Sequence, residues 1–381
     1  MPKQDRFAAT LYKIAESRQT DTPIDKDILK EYVKALVDDI PGLYKNPRLV
    51  SIAGEAIIIR ADKDSHDVAI KICLPVRVVS SWDKYKKIAG FKPKTKFEEV
   101  DEIRKRFWRS INLQKQMHQI LSIEQLFGTA YIPKVLEQHK SPRLCCVMEY
   151  VEAVPLIKHC INPQTAEKDV LELFEKILVV FEKCFHGRGI IHTDIKPANF
   201  LIVQRSNMPV ILDFGIAKNK ENDDELTSVN TQNLASNMWA TSRQRRFPRL
   251  RSYYEDVFSL GLMFHSMFTK EVPQLHIQRD LVNTYDLFPP DLLPKEFQEF
   301  FLKSTNERDE KNKFEDISQM LIFYKKCCNE YIKNQKSVTI EGNTVYQVNE
   351  KEKYNSLEIC KYVTPKYRKA IYYLLEGFNE L

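Results

Sequence analysis

Glycine is scarce in this chain, with ten among 381 residues, well under half of the roughly 7 % of average usage. Any loop that cradles phosphate must therefore work with few residues free to adopt positive φ. Tryptophan is rarer still, at three. No apolar run approaches the ~18 residues of a membrane-crossing helix, and the opening MPKQDRFAATLYKIAESR lacks the continuous apolar stretch of a secretory signal. The eight cysteines are Cys73, Cys145, Cys146, Cys160, Cys184, Cys327, Cys328 and Cys360. None forms a CxxC with zinc-ligand spacing, so buried reduced thiols in a cytoplasmic protein are expected, the cytosol being a host cell's if the chain is a secreted effector. Repeats and low-complexity tracts are missing as well, which excludes collagen-like and mucin-like classes.

What is present argues for packed structure. Apolar residues make up 43 % and aromatics 11 %, with 21 Phe and 17 Tyr, enough to offset the ordering entropy that keeps disordered chains open. The length suits two or three structural units. Lys and Arg number 58 against 52 Asp and Glu, a net charge of +6, which permits an anionic partner without requiring one.

Along the chain, Ile28, Leu29, Tyr32, Val33, Leu36 and Val37 repeat at three-to-four spacing and predict an amphipathic helix that Pro41 and Gly42 stop. SIAGEAIIIRA and HDVAIKIC then read as two antiparallel strands turning at Asp62 to Ser65. The run KYKKIAGFKPKTKF, Lys84 to Phe97, reads as an exposed basic insertion, and Phe97 to Leu121 as a long helix. Short strands follow at AYIPKVLEQ and RLCCVMEYV, then a helix from Ala166 to Phe185. Past Glu255 the pattern is helical to about Asn334. SVTIEGNTVYQVN predicts a hairpin turning near Gly342, with a last helix through Tyr367 to Leu375.

The chemistry concentrates in IIHTDIKPANFLIV, Ile190 to Val203, and VILDFGIAK, ending at Lys218. His192, Asp194 and Asn199 fill H-x-D-x-x-x-x-N, and Asp213, Phe214 and Gly215 form D-F-G. With VAIK at Val68 to Lys71 upstream, the chain resembles the eukaryotic-type protein kinase family over about residues 49–334. That resemblance implies an α+β, bilobal fold: a small sheet-plus-helix lobe over 49–150 and a larger helical lobe over 151–334. A helical extension (1–48) would precede it and a hairpin-and-helix extension (335–381) follow it.

The resemblance also implies roles. Asp194 would take the proton of an acceptor hydroxyl, and Lys196, a lysine typical of serine/threonine kinases, would contact the γ-phosphate. Asn199 and Asp213 would hold Mg²⁺, or Mn²⁺ in its place, their oxygens suiting a hard cation. Lys71 would meet the α- and β-phosphates of ATP, Gly54 would be the last loop glycine, and Ala69 and Leu201 would flank the adenine. Met148 matches the gatekeeper, with Glu149 to Val151 as the hinge, and Asp256 the aspartate that anchors the catalytic loop. The expected reaction is ATP- and Mg-dependent phosphoryl transfer to serine or threonine of a protein substrate. The alternatives are a pseudokinase scaffold and a small-molecule or lipid kinase of related fold.

Departures from the family pattern carry expectations of their own. The nucleotide loop keeps one glycine of three, with Leu49 and Ser51 at the other two positions. Thr193 replaces the arginine before the catalytic aspartate, which removes the usual partner of an activation-segment phosphate. Ala240-Thr241 replaces Gly-Thr. In the degraded A-P-E, Pro248 precedes Arg249, and the residue that should pair with the missing glutamate is Lys313, so this region must be braced differently. The helix partner of Lys71 is open among Glu98, Glu99 and Glu102, with Ser110 at the aligned place. Finally, RQRRFPRLR gathers Arg243, Arg245, Arg246, Arg249 and Arg251: a solvated basic loop, or an anion site for an acidic partner or a polyanionic activator. No motif points to nucleic acid.

Overall fold

Alternating apolar positions in the first third of the chain build a sheet that is covered on both faces. The computed structural model describes residues 26–52, 56–73, 96–141, 144–214, 217–219, 238–246, 252–272 and 284–340. Helix α1 (Lys26–Asp38) precedes strands β1 (Lys45–Ile52), β2 (Ala56–Lys63) and β3 (His66–Cys73); helix α2 (Lys96–Ile123) leads into β4 (Val135–His139) and β5 (Cys145–Glu149). The strands pair antiparallel in the order β1-β2-β3-β5-β4.

Because side chains alternate across a strand, Ile57, Ile59, Val68, Ile70, Ile72 and Val147 face one way. There they pack with Val33, Leu36, Val37, Ile40 and Tyr44 of α1 and its following turn. Ala56, Ala69, Cys73, Cys146 and Met148 face the other way and pack with Ile103, Phe107 and Ile111 of α2. The predicted amphipathic helix is thus present, and its apolar stripe roofs the sheet. Tyr44 hydroxyl donates to Glu137 Oε2 at 3.1 Å, and Lys63 also pairs with Glu137, tying this roof to the edge strand β4.

The rest is mainly helical. Strand β6 (Val154–Pro155) and helix α3 (Leu156–Cys160) lead to α4 (Glu167–Val180), which widens into a π-turn at Phe181–Phe185. Short strands β7 (Ile190–Ile191), β8 (Phe200–Val203), β9 (Met208–Ile211) and β10 (Lys218–Asn219) frame the catalytic motifs. Helices α5 (Ser242–Arg246), α6 (Tyr253–Thr269), α7 (Thr284–Leu287), α8 (Lys295–Thr305) and α9 (Ile317–Ile340) complete the lobe. Its core is aromatic: Phe264 meets Phe174 at 4.9 Å, Phe297 at 5.2 Å, Phe300 at 5.3 Å and Tyr324 at 5.5 Å between ring centroids. Helices α6 and α8 approach so closely at Gly261 that a Cβ there would lie 2.5 Å from Ser304 Cβ, a contact that only glycine allows.

One expectation from sequence is corrected. The hairpin placed from Ser337 onward does not begin there, because α9 continues through Ile340; once helix is nucleated each further residue adds a backbone hydrogen bond, which outweighs the local β-propensity of Val338 and Thr339. Gly342, the last helix, the basic run before Lys96, Gly54, Gly215, Arg249 and Arg251 lie outside the described residues.

Candidate active site

The two motifs meet where β8 and β9 leave the helical lobe under β3. Asp194 sits on the loop after β7, half-closed by its own neighbours. Lys196 Nζ donates to Asp194 Oδ2 at 2.7 Å, and Asn199 Nδ2 donates to both the Asp194 carbonyl (2.7 Å) and Oδ2 (3.1 Å). These bonds converge on Asp194 Oδ2 and fix the orientation of its carboxylate. With its amide nitrogen committed, Asn199 retains Oδ1 as a neutral oxygen donor.

Across the cleft, Asp213 Oδ1 lies 3.4 Å from Lys71 Nζ. The Lys71 ammonium is the main reason that the Asp213 carboxyl is held below the ordinary carboxylate range. An ionised carboxylate beside a neutral amide oxygen is a donor set that fits Mg²⁺. Lys71 itself is placed by sheet register, opposite Ile58 on β2 and Cys146 on β5.

The catalytic loop is held in an unusual backbone conformation. Thr193 and Asp213 have φ of 65° and 60°, left-handed values that non-glycine residues adopt only where surrounding contacts enforce them. At Thr193 the enforcement comes from Asp256 on α6, fully buried. Its two oxygens accept the backbone N–H groups of His192 and Thr193, each at 2.8 Å. The Thr193 carbonyl in turn accepts from Gln244 Nε2 at 2.7 Å, while Gln244 N–H donates to Thr241 Oγ1 at 2.9 Å. Gln244 thereby fastens α5 to the catalytic loop at the residue that replaces the family arginine.

Two further residues here escape sequence reasoning. His186 contacts Asp256 Oδ2 through Nε2 at 3.2 Å and stacks on Tyr253 at 4.2 Å. Phe185 stacks on Phe214 at 6.1 Å and 11°, and on Phe181 at 4.5 Å and 9°. The π-turn brings both phenylalanines to one side, where His192 packs at 5.7 Å from Phe214 and from Phe185; π-turns inside helices commonly mark functional regions. Burial lowers the His192 pKa, so this imidazole is neutral and serves packing. The only available sequence signal was the aromatic run FEKCFH itself, which helical periodicity reads as ordinary core.

The other expected residues fall as follows. Ala69 and Met148 are buried on the cleft face of the sheet, and Leu201 is half-buried on β8. Glu149 turns its carboxylate to Tyr131 hydroxyl and Lys134 N–H, and its own backbone N–H donates to the Lys134 carbonyl at 3.0 Å. On α2 the ring of Phe107 lies 5.9 Å from Lys71 Nζ, within cation–π range, and Ser110 is buried one turn on; the side chains of Glu98, Glu99 and Glu102 lie outside the described residues. Arg245 has internal work, donating to the Ala240 carbonyl at 2.6 Å and Ser242 Oγ at 3.1 Å, while Arg243 is exposed and the Arg246 side chain is outside the described residues. Lys313 lies 4.6 Å above the ring of Tyr254, a cation–π contact where the family pattern has an arginine–glutamate bridge.

Desolvation also governs the thiols. Burial pushes Cys146, Cys160, Cys184 and Cys327 up to about 12, so at pH 8 their thiolate fraction is roughly a thousandfold below that of an ordinary thiol. Iodoacetamide labelling mapped by mass spectrometry is expected to spare these four in the folded protein and reach them in urea. Native labelling of Cys146 at the free-thiol rate would contradict its packing behind Lys71.

Comparison with known proteins adds an independent line. A model of the protein kinase domain matches residues 78–351, a stretch that contains the catalytic loop and D-F-G and begins after Lys71. A probable serine/threonine-protein kinase PknB of Lactococcus lactis is 28% identical over 187 residues, 46% of this chain and 28% of that protein. A probable serine/threonine-protein kinase of Clostridium perfringens is 27% identical over 210 residues, 52% of this chain and 29% of its own length. The PknB of Mycobacterium tuberculosis is 31% identical over 134 residues, 33% of this chain and 20% of that protein. The chain therefore spans less than a third of the length of these relatives. Among the described residues no helix is long and apolar enough to cross a membrane.

Proposed function

The chain belongs to the protein kinase family, and from that premise we propose that it transfers the γ-phosphoryl group of Mg-ATP to serine or threonine hydroxyls of a protein substrate. The observation that carries this reading is the convergence of Asp194, Lys196 and Asn199 within 3.1 Å of one another, facing an Asp213–Lys71 pair at 3.4 Å. Phosphoryl transfer needs positioning and charge neutralisation more than covalent help, and this arrangement supplies both.

Asp194, its carboxylate oriented by Lys196 and Asn199, accepts the proton of the hydroxyl. Lys196, fixed by its bond to Asp194, presents its ammonium to the phosphate being moved. Asp213 and the Oδ1 of Asn199 would hold the metal, which when bound neutralises phosphate charge. Lys71 pins Asp213 and offers its ammonium to the phosphates nearer the adenine. With the nucleotide loop short of glycine, binding rests on Lys71, the hinge and the metal ligands, and ATP affinity is expected to be modest.

Gln244 bears on regulation. It holds the catalytic loop from α5 without an arginine–phosphate pair, so activity is expected without activation-segment phosphorylation.

The test is transfer from γ-labelled ATP, with Mg²⁺ or Mn²⁺, to lysate proteins and to generic acidic and basic substrates, followed by phosphosite mapping. Asp194→Ala should lower transfer by roughly 10²–10⁴-fold while nucleotide binding persists. Labelling unchanged by that substitution would overturn the proposal. Nucleotide binding with no transfer by the unmodified chain would favour a scaffold.

A further inference from the structure

Away from the cleft, where α8 ends and α9 begins, the helical lobe carries a pocket of about 360 Å³. Lys303, Lys311, Lys313 and Lys326 line it, and no carboxylate does among the described residues. Its apolar part is formed by Phe314, Phe323 and Ile322. The Phe314 ring packs at 5.9 Å from Phe300 and 5.4 Å from Phe323, so the floor is an extension of the lobe's aromatic core.

The cations are preset to different degrees. Lys303 Nζ lies 4.7 Å above the Phe323 ring and 3.1 Å from Glu299, and Lys313 Nζ rests over Tyr254. Lys326 is held only loosely, 3.9 Å from Glu330 with its side chain 69% exposed. Ile322 is 72% exposed, an apolar side chain left in water in a pocket that four lysines line. An apolar hollow lined by lysines is complementary to a ligand that is apolar at its centre and anionic at its edges.

We propose that this pocket docks an acidic segment of a partner protein, with one large apolar side chain seated on Phe314 and Phe323 and flanking carboxylates on the lysine rim. The concave aromatic floor favours a protruding side chain over a planar lipid surface. Binding here does not require phosphoryl transfer; if the partner is a substrate, which rests on the reading above, docking raises its local concentration at Asp194.

Fluorescence anisotropy of the full chain tests this directly. The probes are labelled peptides with a central Phe, Leu or Trp between runs of Asp and Glu, their Lys-flanked counterparts, and acidic peptides with Ser at the centre. Phosphatidylserine vesicles and inositol hexakisphosphate form separate arms. Acidic peptides with an apolar centre should bind, weaken with added salt, and lose about tenfold or more on charge reversal of the peptide or in Lys311→Glu/Lys326→Glu. Ile322→Asp, at an exposed position that folding tolerates, should weaken the same peptides while melting as the parent does. Equal binding by the parent and the double variant, no preference over Lys-flanked peptides, or variant-sensitive binding of vesicles or inositol phosphate alone would overturn the proposal.

Discussion

Asp256→Asn is expected to abolish most phosphoryl transfer although the substitution lies on a buried helix and touches neither nucleotide nor substrate. The native carboxylate offers two acceptor oxygens, one for the His192 N–H and one for the Thr193 N–H. An asparagine keeps one acceptor and turns a donor toward the second N–H, so one buried backbone donor loses its bond and faces a like group. Leaving a buried donor unmet costs about 1–3 kcal/mol, and a bond to a charged acceptor contributes about 1.5–3 kcal/mol. The left-handed backbone of Thr193 adds about 1–3 kcal/mol of strain that Asp256 no longer holds in check. The loop can release that strain by flipping Thr193, and Asp194 moves with it. Gln244 and His186 remain as partial supports, so the helical lobe should stay folded, with a melting temperature lowered by several degrees. Activity should fall far more than stability, through kcat rather than through nucleotide affinity. A variant that melts like the parent and retains its kcat would show that Asp256 does not hold the loop.

The contrast between Asp194 and Asp256 also marks how much of the site could be read from sequence. Asp194, Asn199 and Asp213 are legible because the chemistry fixes both residue type and spacing along a single loop and the next strand. Lys71 is legible because β3 alternates, which puts its side chain on the cleft face. Asp256 was reachable only through resemblance to the family, and His186, Phe185 and Gln244 were not found. Their roles come from contacts 51 to 70 residues distant in sequence for Gln244 to Thr193 and His186 to Asp256, and a periodic pattern carries no information about such partners. The Lys313–Tyr254 contact illustrates the same limit. Sequence showed that two cations could not form the family bridge, but an aromatic ring as the substitute is a matter of packing. At the fold level, helix α1 and the strands from β2 to β5 were apparent from periodicity, whereas β1, which begins at Lys45 inside the stretch read as a helical extension and pairs with β2, and the surface that α1 covers were not.

That covered surface carries the second large effect. A chain that begins at Lys45 is expected to lose the small lobe as a stable unit. Val33, Leu36, Val37, Ile40 and Tyr44 bury their side chains against the face of the sheet that α2 does not cover. Five such side chains at about 1.5–3 kcal/mol each contribute on the order of 8–15 kcal/mol as an upper figure, comparable with the whole stability of a typical domain, about 5–15 kcal/mol. The loss is compounded on the sheet side, where Ile57, Ile59, Ile70 and Ile72 would face water, an apolar patch that favours aggregation. The shortened chain should bind a hydrophobic dye, show early protease cleavage within 45–73, and lose nucleotide binding, because Lys71 sits on the uncovered strand. A point variant separates loss of packing from loss of chain: Leu36→Asp in the full protein places a carboxylate in the same interface and should reproduce the dye binding. If the shortened chain melted within a few degrees of the full protein and bound no dye, α1 would be an appendage. The packing instead makes it the second layer of the lobe, and a protein cut at the start of the matched kinase stretch would lack both that layer and Lys71.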